Sequence, residues 1–103
     1  MSTQTSTDTS VATKTRVKLS PPCEHKVIFL NDDFTPMDFV IDVLITVFEH
    51  DIDTADNLTH RVHEEGSAVV AVLPYEIAEH KGVETTLMSR ANGYPLTVRI
   101  EPE

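Results

Sequence analysis

Residues 26–48 read KVIFLNDDFTPMDFVIDVLITVF, and the fold turns on two changes of character inside that stretch. Lys26 to Leu30 is a short β-branched and aromatic run, the composition of a strand, and it stops at Asn31-Asp32-Asp33, whose short polar side chains favour turns. Thr35 can then cap a helix, Pro36 suits the first helical position because an amide there would have no partner, and Asp38 adds an acidic group to the first turn. Met37, Val40, Val43, Leu44, Val47 and Phe48 recur at three- and four-residue spacing, with Asp38, Asp42, Thr46 and Glu49 largely opposite. The stretch predicts a strand, a polar loop and an amphipathic helix.

The same reading extends downstream. Asp53 can cap a second helix with Asp56 at its third position, Ala55, Leu58 and Val62 form its inward stripe, and Gly66 ends it. Ala68 to Leu73, AVVAVL, is unbroken in its apolar character, which predicts a strand covered on both faces or centrally placed, and Pro74 stops it. From Tyr75 to about Ala91, the residues Ile77, Leu87, Met88 and Ala91 share an arc of a third helix ended by Asn92-Gly93. Gly82 costs that helix about 1 kcal/mol relative to Ala, and Glu84 interrupts its arc. Leu96, Val98 and Ile100 alternate with Thr97 and Arg99, as in a half-buried strand. The order βααβαβ is that of an α+β fold, a three-stranded antiparallel sheet packed against three helices.

Upstream, residues 1–22 contain ten Ser or Thr and few large apolar groups, so burial cannot offset the entropy of ordering them. A flexible tail is expected over 1–22, ended by Pro21-Pro22, with one folded domain over 23–103. Lys14, Arg16 and Lys18 outnumber Asp8 in the tail, so of the net charge of −9 the body carries −11. Such a surface repels nucleic-acid phosphates and anionic headgroups, and it attracts cationic ligands such as a protonated α-amino group. Cys23 is the single cysteine, and no secretory signal or long apolar run is present. A soluble protein of the reducing cytoplasm is expected, with neither nucleic acid nor membrane as partner.

Three readings compete for Asn31-Asp32-Asp33-Phe34-Thr35-Pro36. The first is turn chemistry plus capping, the second a catalytic or metal-binding carboxylate pair, and the third a rim that holds a cation, since Asn and Asp oxygens accept from an ammonium with three donors. His63 shares a helical face with Thr59 at the edge of the second helix's apolar stripe. His60 with His63, and Cys23 with His25, each offer only two metal ligands, too few for a structural zinc site. No metal, cofactor or catalytic residue is expected.

Val27 to Leu44, VIFLNDDFTPMDFVIDVL, resembles the signature of the ClpS family, adaptors of the bacterial ATP-dependent Clp protease that read N-terminal degradation signals. The likeness continues through Val62-His63, the Gly66 to Val72 strand, Glu76 to Lys81 and Tyr94-Pro95-Leu96. It implies that Asn31, Asp32 and His63 surround the free α-amino group of a bound protein. It further implies that Phe29, Leu30, Thr35, Met37, Val40, Thr59, Val62 and Leu96 line the pocket for its first side chain, in this family Leu, Phe, Tyr or Trp. Glu76 and Lys81 match positions that contact the N-terminal domain of a ClpA-like AAA+ unfoldase, and a non-catalytic monomer is expected. Two residues depart from the family: Thr59 stands where Met is common, which should widen or deepen the pocket floor, and Pro74 where a capping Thr is frequent. Two other classes remain open on the residues alone: a small hydrolytic or metal-binding protein using Asp32, Asp33 and His63, and a passive interaction module without a pocket.

Overall fold

The computed structural model describes residues 23–103, so the tail expected over 1–22 lies outside the described residues. The central strand β1 (Glu24–Leu30) is flanked by β2 (Ser67–Pro74) and β3 (Thr97–Pro102), both antiparallel to it. Three helices complete the βααβαβ order: α1 (Met37–Thr46), α2 (Ile52–Glu65) and α3 (Tyr75–Ala91). Val27 and Phe29 are fully buried on one face of β1, and that face meets Val43 and Leu44 of α1, Ala55 and Val62 of α2 and Ala78 of α3 in a single core. The α1 stripe closes over this core as its spacing predicts, with Val47 and Phe48 buried just past the helix end.

Local chemistry differs from expectation in four places. Pro36, not Thr35, occupies the cap of α1, and its carbonyl accepts from the Phe39 and Val40 amides. Asp51, not Asp53, is the cap of α2, and Asp53 lies in the first turn, where its charge still suits the helix dipole. Strand β2 is an edge rather than a central or doubly covered strand: Val69 and Val72 are exposed, while Ala68 and Val70 face inward. Helix α3 has the expected bounds but another buried face, since Ile77, Leu87 and Ala91 are exposed and the sheet is met by Ala78, Gly82, Thr85 and Ser89. These are small side chains, and they let the helix approach closely: a Cβ on Gly82 would lie 3.2 Å from Ile100 Cδ1. Pro74 precedes α3 without a side-chain cap bond, as its lack of a polar group requires.

Two long-range polar contacts hold the connections. The pairing of β1 with β2 shifts between Val27 and Ile28, leaving Val70 as an extra residue on β2. His50, from the α1–α2 connection, donates from Nε2 to the Val70 carbonyl at 2.6 Å. Lys81 Nζ donates to the Val47 carbonyl at 2.6 Å, where α1 ends and orphan carbonyls need partners.

Candidate functional site

The loop 31–36 leaves β1 beside the end of α2. Gly66 closes α2 in the left-handed conformation (φ 90°), a geometry that costs a Cβ-bearing residue far more, and its amide donates to the Val62 carbonyl. The Gly66 carbonyl then accepts from the Asn31 amide at 2.9 Å, which sets Asn31 against the turn of α2 that carries His63. Asp32 folds the rest of the loop around itself. Its Oδ1 accepts from the amides of Phe34 and Thr35, both at 2.7 Å, and its Oδ2 accepts from the Thr35 hydroxyl at 2.8 Å. Burial raises the Asp32 carboxyl, but those amides, the Thr35 hydroxyl and the Arg90 guanidinium outweigh it and hold the group below its ordinary value of 3.8. Asp32 is therefore ionised at neutral pH.

These elements enclose a hollow of about 180 Å³. Its apolar walls are Leu30, Val40, Val62 and Leu96, with Met37 half-buried; Asn31, Asp32, Asp33, Thr35 and His63 supply the polar wall. Thr59 also lines it, 2% exposed, and its hydroxyl donates back to the Ala55 carbonyl at 2.8 Å, so this wall carries no free donor. A cavity near 150 Å³ already accepts a benzene ring, so the hollow matches one large apolar side chain rather than an extended ligand.

Asn31, Asp32 and His63 thus line one hollow, together with seven of the eight residues expected for its pocket. Phe29 is the exception: it is fully buried in the core, its ring edge-on to Phe48 at 5.6 Å, because the neighbouring Leu30 is the β1 residue that reaches the hollow. Asp33 lines the hollow too; it belongs to the loop read as a candidate cation rim but not to the three residues the family resemblance assigns to the α-amino group. Glu76 is exposed in the first turn of α3, away from this site. Lys81 is not a freely solvated helix charge, being half-buried and bonded to Val47.

Among the described residues no group of three His, Cys, Asp or Glu side chains converges. His25 Nδ1 faces the Cys23 carbonyl and His60 Nδ1 the Asp56 carbonyl. Asp32, one of the two carboxylates of the hydrolytic alternative, is engaged at both oxygens by its own loop.

Residues 20–99 match the family described as ATP-dependent Clp protease adaptor protein ClpS. The chain belongs to the ClpS family. A ClpS adapter protein of Pectobacterium carotovorum is 41% identical over 100 residues, 97% of this chain and 94% of the relative. Another, from Nautilia profundicola, is 44% identical over 93 residues, 90% of this chain and 96% of the relative. Among solved structures, Agrobacterium tumefaciens ClpS2 bound to L-phenylalaninamide superposes with a TM-score of 0.77 at 43% identity, covering 81% of this chain and all of that one. The βααβαβ architecture is shared with that ClpS structure.

Proposed function

We propose that this chain is a non-catalytic adaptor that captures proteins by a large apolar N-terminal residue and delivers them to a Clp-type AAA+ unfoldase for degradation. The observation that carries this reading is the hollow itself: an apolar floor sized for one side chain, with an amide, an ionised carboxylate and an imidazole at its polar wall. In this reading Asn31 and His63 accept hydrogen bonds from the α-ammonium and Asp32 supplies charge through its field and its remaining lone pairs. An internal residue presents an amide instead, leaving acceptors unpaired at a cost of about 1–3 kcal/mol each. Burial of the first side chain adds about 1.5–3 kcal/mol, so chain end and side chain must both contribute. The solved relative's ligand, L-phenylalaninamide, combines these two features.

The acidic body favours a cationic chain end, and the same reading makes the protein a cytoplasmic monomer. The unfoldase partner is the N-terminal domain of a ClpA-like protein, met through Glu76 and the α3 surface around Lys81. Calorimetric titration tests the site: L-phenylalaninamide should bind, while N-acetyl-L-phenylalaninamide and L-alaninamide should not. Equal binding of the acetylated compound would remove the ammonium from the mechanism.

A further inference from the structure

Leu96, 1% exposed, walls the hollow from outside any regular element, since β3 begins only at Thr97. Its position depends on the turn that joins α3 to β3. Arg90, in the last turn of α3, donates from Nη1 to the Tyr94 carbonyl at 2.8 Å and to the Leu96 carbonyl at 3.0 Å. The Tyr94 amide donates to the Ser89 carbonyl at 2.8 Å, and the Tyr94 ring packs edge-on against Phe39 of α1 at 5.0 Å. The two Arg90 bonds therefore span the segment between this anchored tyrosine and the leucine in the hollow.

We propose that Arg90 is a positioning residue that determines specificity: its Nη1 group, donating to both carbonyls, fixes how far Leu96 enters the hollow, and so which first side chains fit. This rests on the reading of the hollow as the pocket for a first side chain. The polar wall supports the assignment, because the Arg90 charge also acts on Asp32, which organises the 31–36 loop. One guanidinium thus influences two walls built by segments far apart in sequence. A lysine would retain the charge but not the arrangement, since its ammonium rotates freely on a flexible stem, whereas the two N–H groups of Nη1 are held in the guanidinium plane.

The test is titration of the full chain and its Arg90→Ala and Arg90→Lys variants with L-phenylalaninamide, L-leucinamide and L-alaninamide, with the Asp32 carboxyl followed by NMR. Losing the paired bonds should weaken phenylalaninamide by roughly tenfold in both variants and shift the Phe-to-Leu affinity ratio by at least about threefold. Asp32 should titrate at higher pH in R90A and stay near its wild-type position in R90K, separating the charge from the brace. A ratio and affinity within about twofold of wild type in R90K, the spread of an ordinary surface change, would overturn the proposal even if R90A fails to fold. A wild-type chain that does not distinguish phenylalaninamide from alaninamide would instead overturn the underlying reading of the site, and this inference with it.

Discussion

Thr59 turns its hydroxyl onto its own helix, so a polar residue contributes to the hollow without adding a free donor. Methionine there would occupy space that the shorter residue leaves open. For Thr59→Met the affinity ratio of L-tryptophanamide to L-leucinamide should fall by about tenfold, equivalent to about 1.4 kcal/mol, in parallel titrations. Asp32 makes a second case at this scale. Its folded-state pKa is depressed, so the stabilisation it gives is fully present above the unfolded value near 3.9 and is lost as the pH falls through the lower folded value. Asp32→Asn keeps an oxygen for the loop amides but cannot be ionised. The stability gap between wild type and D32N, followed by urea unfolding from pH 7 to pH 2.5, should therefore close at the acid end. Which residues of the NDDFTPM stretch are polar enough to meet a cation is legible in the sequence, since residue type alone decides it. That Asp32 organises the loop is not, because that depends on a turn whose three bonds return to one carboxylate. The exchange of Phe29 for Leu30 has a similar origin: which residue of a strand reaches a site is set by where the strand ends and how the chain leaves it.

Helix α3 shows the corresponding limit for elements. Its bounds are legible, because Pro74 and Asn92-Gly93 punctuate the chain, but its buried face is not. Hydrophobic periodicity finds large apolar side chains, whereas close helix-to-sheet contact here selects Ala78, Gly82, Thr85 and Ser89 and leaves Ile77 and Leu87 outside. Strand β2 misleads in the opposite direction, since exposed valines continue its apolar run on the solvent face. Helix α1 reads correctly because its contact face is made of large aliphatic side chains, the kind that periodicity detects. The α3 packing also leaves a defect. The Thr85 hydroxyl is fully buried and finds no hydrogen-bond partner among the described residues, while Ser89 and Thr59 both bond back four residues. Thr85→Val keeps the shape and removes the desolvated hydroxyl, so the midpoint of denaturant unfolding should rise, by about 1 kcal/mol of stability.

At the scale of the molecule, the hollow and the start of α3 are served by different parts of one core. The hollow is assembled where β1, the 31–36 loop, the end of α2 and the α3–β3 turn converge, whereas Glu76 projects from the first turn of α3. Under the proposed reading, in which the hollow captures and Glu76 meets the unfoldase, this separation lets both proceed on one molecule at once. Glu76→Lys should leave phenylalaninamide affinity unchanged within about twofold, as expected for an exposed residue away from the hollow. It should nevertheless abolish stimulated degradation of a Phe-first reporter in a reconstituted unfoldase and protease assay. The outer rim of β2, which pairs with no further strand among the described residues, bears on a different hazard. Eight residues, SAVVAVLP, unpaired along one side among the described residues, form a template on which another extended chain could zip and seed aggregates. Val70 breaks that register with one extra residue, so a growing strand would meet irregular spacing midway. The bulge therefore acts as a guard for a protein whose proposed work brings it repeatedly against unfolding chains.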